Sequence, residues 1–251
     1  MKMKILLTGN KGYIGKHLHS TLGVRYDLDT IDEGTNYNAW LSEFTKRTIM
    51  PYPKVIVHCG GNPDSSYTHP DIFQWNYDAT RRIADFAVGV NAHLIFFSSS
   101  CAIRPDCHYG WSKRTAEDYI RSRLNGKYTN LRIFNVYGRE AGRKTKSVPQ
   151  QIADRTLDKL YTPFTRDYIH IQDVKDAILH VIKSEIFGTY EVGAGIPVQP
   201  RDIANLVGWK PNTIVKPPPE LPAYKVAVLS NMLPSFKCQK DIFSEIPLMI
   251  C

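Results

Sequence analysis

The chain has 251 residues, 43% hydrophobic and 22% charged, with 32 basic against 24 acidic side chains and a formal net charge of +8. That is an ordinary composition for a soluble globular chain with a real core, and it allows one large domain or two small ones. It contains no run of roughly 18 apolar residues that could cross a membrane and no secretion signal at its N-terminus, so no membrane association and a cytoplasmic location are expected.

In chain order, residues 4–8 ("KILLT") form a short apolar run ended by glycine, which predicts a buried strand. Residues 13–22 follow with Ile14, Leu18 and Leu22 at helical spacing. Further strands are expected at 28–31, 55–58 ("VIVH"), 94–97 ("LIFF") and 131–134 ("LRIF"), with long helical patterns at 70–88 and 109–124 between the later ones. Strands alternating with helices predict an α/β fold, a Rossmann-type doubly wound parallel sheet covered on both faces. After Tyr137 the texture changes: glycine, proline and basic residues interrupt the alternation, and "VQPRDIANLVG" and "KPPPELPAY" read as parts of a smaller lobe. The expected organisation is a dinucleotide-binding domain over 1–137 that returns near 166–184. A small substrate-binding C-terminal lobe would comprise 138–165 and 185–251, with substrate between the two. The "PPPELP" at 217–222 should be a stiff extended connector.

Five cysteines, Cys59, Cys101, Cys107, Cys238 and Cys251, are odd in number and lack paired CxxC spacing. They read as free thiols, with no metal site. The one basic cluster, "REAGRKTK" at 139–146, reads as a solvated loop ahead of an anion site. Nucleic acid is disfavoured as a partner because aromatic and basic residues are not interleaved on one segment.

The stretch "LLTGNKGYIG" places Gly9, Gly12 and Gly15 between a predicted strand and a predicted helix. In such a turn the first glycine permits the tight bend and the second lets the backbone approach a pyrophosphate. The third lets helix and strand pack closely. Exposed amides and the positive end of the helix attract the phosphates. Asp32 follows Gly15 by seventeen residues, near the spacing of a carboxylate that holds ribose hydroxyls, and it favours NAD over NADP. The alternative is that Asp32 only opens the "DEG" turn.

"YGWSK" puts Tyr109 and Lys113 four residues apart at a helix start, on one face. A phenol is a poor base at neutral pH, but Lys113 and an oxidised nicotinamide would stabilise the phenolate. The serines of "FFSSSC" end the preceding strand and offer hydroxyls to the same substrate oxygen.

With these residues in view the sequence resembles the extended short-chain dehydrogenases/reductases, in particular the nucleotide-sugar epimerases typified by UDP-glucose 4-epimerase. "TGNKGYIG", including Tyr13 and Ile14, is similar to the cofactor turn of that family. "VIVHCGG", with Cys59, Gly60 and Gly61, is similar to the strand and loop against the cofactor. "NYDAT" resembles the segment whose asparagine, here Asn76, steadies the central helix. "FFSSS", "YGWSK", "RIFNVYG", "RDYIHIQDV", "YEVGAG" and "LPAY" follow in family order. The resemblance implies Tyr109 as acid/base, Lys113 as the residue that tunes it and holds the nicotinamide ribose, and Ser100 as hydroxyl partner, with Ser99 as the fallback. It implies that Asn135 meets the sugar or phosphate and Arg166 the diphosphate, and it implies a homodimer through the two long helices. An ion pair of Arg166 with Asp167 or Asp173 is the alternative.

The pattern departs from the family in places. Ser100 and Tyr109 are nine residues apart where some two dozen are usual, so "CAIRPDCH" is a minimal loop and part of the sugar-pocket wall is missing or supplied elsewhere. The stretch 32–55 is short, with Asn36 or Asn38 standing for the usual acid after the third strand. Acidic residues used for elimination are absent from "CAIRP". Cys101, Cys107 and His108 suggest epimerisation next to a ketone, though packing and loop roles are the simpler reading. The expected activity is NAD-dependent epimerisation of a nucleotide-activated sugar through a transient keto-sugar. The alternatives are a nucleotide-sugar reductase and a catalytically idle dinucleotide- or RNA-binding protein.

Overall fold

The computed structural model describes residues 2–31, 51–63, 71–139, 146–218 and 224–250. The first elements are β1 (Lys4–Thr8), α1 (Tyr13–Arg25), β2 (Asp27–Ile31), β3 (Val55–His58), α2 (Ala79–Gly89), β4 (His93–Ser99), α3 (His108–Arg123) and β5 (Tyr128–Ile133). A π-helical turn, Gln74–Asp78, leads into α2. Then come β6 (Asn135–Tyr137), α4 (Val148–Ala153), β7 (Leu160–Tyr161), β8 (Thr165–Arg166), β9 (Tyr168–His170), α5 (Ile171–Ser184), β10 (Gly188–Val192), α6 (Pro200–Leu206), β11 (Ile214–Val215) and β12 (Tyr224–Lys225).

Among the described residues six strands form one sheet in the order β10-β5-β4-β3-β1-β2. β2, β1, β3 and β4 pair in parallel, and Leu6, Ile56 and Leu94 stand in one row across the three central strands. Every residue of β3 and β4 is buried, as expected of strands covered on both faces. The row belongs to a core that also takes Ile83, Ala84 and Ala87 of α2 and Ala116 and Ile120 of α3. Strand order reverses at β1, whose neighbours are β2 and β3. The loops at the C-terminal ends of β1 and β3 therefore flank the switch point, where open α/β sheets bind ligands.

Apolar runs set the expected strand bounds; β2 starts one residue early, at Asp27, and β4 and β5 extend further. β5 begins at Tyr128 rather than 131, because the buried Thr129 and Asn130 find hydrogen-bond partners, Asn130 through its amide nitrogen only. Thr129 donates to the Ile186 carbonyl, and Asn130 Nδ2 donates to Thr189 Oγ1 at 3.2 Å. β4 likewise runs from His93 to Ser99. A buried polar side chain is tolerated when its hydrogen bonds are made, and that condition is invisible in one dimension.

The chain divides into two compact units, residues 1–132 with 181–190, and residues 133–180 with 191–251. The segment returning to the first unit is thus 181–190, where the sequence reading had placed it near 166–184. The second unit has its own core around Tyr137, Ile152, Leu160, Tyr168, Val198, Ile203 and Ile246. The connector expected at 217–222 lies largely outside the described residues.

One buried ion pair ties α3 to the sheet. Glu117, 2% exposed, accepts Ser98 Oγ at 2.5 Å and both ends of the Arg132 guanidinium, Nη2 at 2.7 Å and Nε at 3.0 Å. Removing one partner of such a pair strands the other charge, at a cost of about 3 kcal/mol. Glu117→Leu should therefore lower the urea midpoint with little change in m, and adding Arg132→Met should recover most of the loss.

Candidate active site

The turn between β1 and α1 is shaped by how closely backbone must approach backbone. Gly9 has φ +74°, and a Cβ there would lie 2.5 Å from the Gly60 amide nitrogen. A Cβ on Gly15 would lie 1.9 Å from the Gly9 carbonyl oxygen. The third glycine thus makes room for the turn itself, where helix–strand packing had been expected. Gly12 differs, being exposed and meeting only the Gly9 oxygen at 3.3 Å. It is the N-cap of α1 without a side-chain cap, and the first turn of the helix carries no acid. A helix start with no side-chain cap and no acid in its first turn suits a phosphate. Tyr13 and Ile14 are half-buried in that first turn.

The loop after β3 lies against this turn. Cys59 donates both its backbone N–H, at 3.3 Å, and its thiol, at 3.0 Å, to the Thr8 carbonyl. Gly61, φ +136°, could not carry a Cβ, which would sit 2.6 Å from Asn76 Oδ1 and 3.3 Å from Lys113 Nζ. Asn76, fully buried in the π-turn, accepts the Asn62 N–H at 2.7 Å and donates to the Asn62 carbonyl at 2.9 Å and to Ser112 Oγ at 3.1 Å. Ser112 passes its own proton to the Tyr109 carbonyl at 2.8 Å. Asn76 therefore fixes the cofactor-side loop and the start of α3 together.

Behind Asn76 lies a residue the sequence reading passed over. His58 bonds Thr8 Oγ1 through Nδ1 and Thr80 Oγ1 through Nε2, at 2.5 and 3.0 Å. Thr80 donates its hydroxyl proton to the Asn76 carbonyl at 2.7 Å, so it accepts from Nε2–H and leaves Nδ1 to accept from Thr8. One neutral tautomer satisfies every partner. Burial, with the Lys113 charge adding, pushes His58 down to about 3. No sequence signal marks this role, since a histidine ending an apolar strand has many uses.

Tyr109 and Lys113 stand one turn apart on α3. Lys113 Nζ donates to the Phe97 carbonyl at 3.0 Å and lies 4.8 Å over the Phe96 ring, on which His58 also stacks. Burial pushes the half-buried Tyr109 phenol well above its ordinary range, Cys101 and Cys107 push it the same way, and a Ser99 hydrogen bond opposes them. The three serines part company: Ser98 serves Glu117, Ser99 reaches the phenol and accepts the Cys101 N–H at 3.2 Å, and Ser100 opens the 3-10 turn Ser100–Ala102. Of the serines, Ser99, the fallback to Ser100, is the one that lowers the phenol's pKa. Cys107 caps α3, its sulfur accepting the Gly110 N–H at 3.5 Å, and burial raises its thiol. The tight loop forces glycine at 110, where a Cβ would lie 2.8 Å from the Cys101 carbonyl oxygen.

In the second unit Asn135 is exposed and donates through Nδ2 to the Asp167 carbonyl at 2.8 Å. Arg166 is 7% exposed, with its guanidinium carbon 3.5 Å from the Phe164 ring centroid and Nη1 donating to the Thr165 carbonyl at 2.8 Å. The ion pairs weighed for it are not what engages those acids. Asp167 accepts the N–H groups of Ala194, Gly195 and Ala227, and Asp173 those of Gln239 and Lys240. Asp32, Asn36 and Asn38 lie outside the described residues.

Residues 5–193 match a single family model. The chain belongs to the NAD dependent epimerase/dehydratase family. Its cofactor is accordingly NAD, and its parallel sheet with flanking helices is a Rossmann-like α/β fold. An uncharacterized protein of Methanocaldococcus jannaschii is 27% identical over 256 aligned positions, covering 79% of this chain and 78% of that one. Three solved structures share the fold. The UDP-N-acetylglucosamine 4-epimerase of Methanobrevibacter ruminantium M1, in complex with UDP-N-acetylmuramic acid, has TM-score 0.81 at 19% identity, covering 100% of this chain and 98% of that one. The UDP-glucose 4-epimerase of Thermotoga maritima, with UDP-glucose, has TM-score 0.80 at 16% identity, covering 99% and 97%. The dTDP-4-dehydrorhamnose reductase of Bacillus anthracis, in complex with NADP, has TM-score 0.77 at 17% identity, covering 99% and 98%. Epimerases and reductases thus share this fold, and among the described residues no helix is long and apolar enough to cross a membrane.

Two outcomes check this geometry. Gly15→Ala, whose methyl has no room against the Gly9 carbonyl, should reduce NAD affinity at least tenfold by calorimetric titration while far-ultraviolet circular dichroism stays native. The second is acid sensitivity. His58 at about 3 and His93 at about 4, the latter lowered by burial and then by Lys127, both lie below the ordinary 6.5. The folded state thus binds fewer protons than the unfolded chain, so this stability is intact above pH 6.5 and is lost as pH falls toward those values. Each histidine contributes a slope of about 1.4 kcal/mol per pH unit. His58→Gln should make the acid limb of a stability–pH curve shallower by about that amount.

Proposed function

We propose that the protein epimerises a nucleotide-activated sugar, using Tyr109 to take a proton from a sugar hydroxyl and return it. The observation that carries this reading is the Tyr109 phenol beside Ser99, with Lys113 one turn further along α3. Gly9, Gly12, Tyr13, Ile14 and Gly15, with Cys59, Gly60, Gly61 and Asn76, would hold the dinucleotide. Lys113 would hold its ribose. Bound NAD supplies the acceptor, and then the donor, of the hydride exchanged at the sugar carbon.

The chain's own residues handle the proton. With burial raising the phenol, Tyr109 is protonated at neutral pH until positive charge compensates, and Lys113 with the oxidised ring supplies that charge. A hydroxyl donated by Ser99, or by Ser100, then steadies whichever oxygen is losing its proton. In the second unit Asn135 would meet the sugar or its phosphate, and Arg166 the diphosphate. A homodimer through α2 and α3 completes the proposal; both helices expose large apolar groups, Val88 at 43% and Trp111 at 53%.

A nucleotide-sugar reductase is the competing reading, suggested by the two cysteines, Cys101 and Cys107, in the minimal loop ahead of α3. Incubation with a panel of sugar nucleotides separates the two. Epimerisation interconverts two sugars with no net cofactor change, whereas reduction consumes reduced cofactor mole for mole. Tyr109→Phe should lower kcat by about a thousandfold with KM nearly unchanged. Full activity in that variant would remove the mechanism.

A further inference from the structure

Arg166 occupies the second position of the two-residue strand β8 and is almost wholly buried. Its backbone is fixed on both sides: its N–H and carbonyl pair with Val198 at 2.9 Å each, and the strand registers against Tyr224 and Lys225. The side chain beyond that backbone is long and needs its own restraint before it can present a defined edge. The carboxylates of Asp167 and Asp173 are engaged by backbone amides, and an aromatic ring supplies a restraint. The guanidinium carbon sits 3.5 Å from the Phe164 ring centroid, and Tyr161 backs Phe164 at 5.8 Å with the rings tilted by 51°.

A ring under a guanidinium restrains it without using its donors. The π face takes the face of the cation, while the N–H groups lie in the guanidinium plane and point outward along its edges. One of them goes to the Thr165 carbonyl, which sets the rotation of the plane. This is the geometry a planar fork needs to grip two phosphate oxygens at once.

We infer that Phe164, backed by Tyr161, is a positioning residue that holds Arg166 edge-on for the diphosphate of a nucleotide ligand. The inference rests on the reading of Arg166 as the diphosphate-binding side chain, and the experiment separates the failure of one from the failure of the other.

Binding of UDP, dTDP, GDP, CDP and ADP to the full-length protein is measured by calorimetry, and the tightest of them is carried forward. Arg166→Met should weaken it by about fiftyfold or more. Phe164→Ala should weaken it about fivefold, Phe164→Tyr should restore affinity to within about twofold of the original, and Phe164→Leu, which keeps bulk but no ring face, should fall between. In the Arg166→Met background, Phe164→Ala should have no further effect, because the residue it orients is gone. Native affinity in Phe164→Ala, or an undiminished effect in the Arg166→Met background, overturns the positioning role while leaving Arg166 as the ligand. Native affinity in Arg166→Met, or no binding of any of the five nucleotides to the unmodified protein, overturns the underlying reading and this inference with it.

Discussion

The site depends on backbone meeting backbone at the sheet's switch point. The turn after β1 and the loop after β3 lie so close that Gly9 has no room for a methyl group beside the Gly60 amide, nor Gly15 beside the Gly9 carbonyl. Steric exclusion of this kind is steep, since no rotamer change relieves a clash between main chains. Its consequence is that α1 starts at an exposed, side-chain-free cap, Gly12, while the residues around it are locked. The shape of the turn is a product of what cannot fit elsewhere in it.

The second organising feature is a string of polar groups threaded through an apolar core. Thr8, His58, Thr80, Asn76 and Ser112 each hand a hydrogen bond to the next, ending on the carbonyl of Tyr109. Burying five polar side chains is costly unless every donor and acceptor is matched, and here one tautomer of one histidine matches them. The string joins β1, β3, the π-turn before α2, and α3. A π-turn inserts an extra residue into helical winding and often marks a functional position. In this protein it turns Asn76 toward both the Asn62 backbone and Ser112.

The surroundings of the Tyr109 phenol show opposing forces on its proton. Desolvation favours the neutral form, as do the two nearby thiols, and Ser99 pulls the other way. The shortened connection between the serine strand and α3 is what brings Cys101 and Cys107 to the phenol, with Cys107 doubling as the helix cap. Three adjacent serines with three different duties follow from strand geometry. Side chains alternate between faces along β4, so Ser98 and Ser99 cannot serve the same partner, and Ser100 already belongs to the next turn.

The sequence by itself determined the α/β class, the bounds of β1 and β3, the helix carrying Tyr109 and Lys113, and the glycine turn. These are set by local rules, namely apolar runs, helical periodicity and the conformations open only to glycine. Only the tertiary structure decided that β5 starts at Tyr128, that Ser98 serves Glu117, that His58 underpins Asn76, and that Arg166 rests on Phe164. Each of those depends on which segments distant along the chain share an interior, and on whether their hydrogen bonds close. A polar residue in a strand reads as an interruption until the partner that satisfies it, fifty residues away, is folded against it.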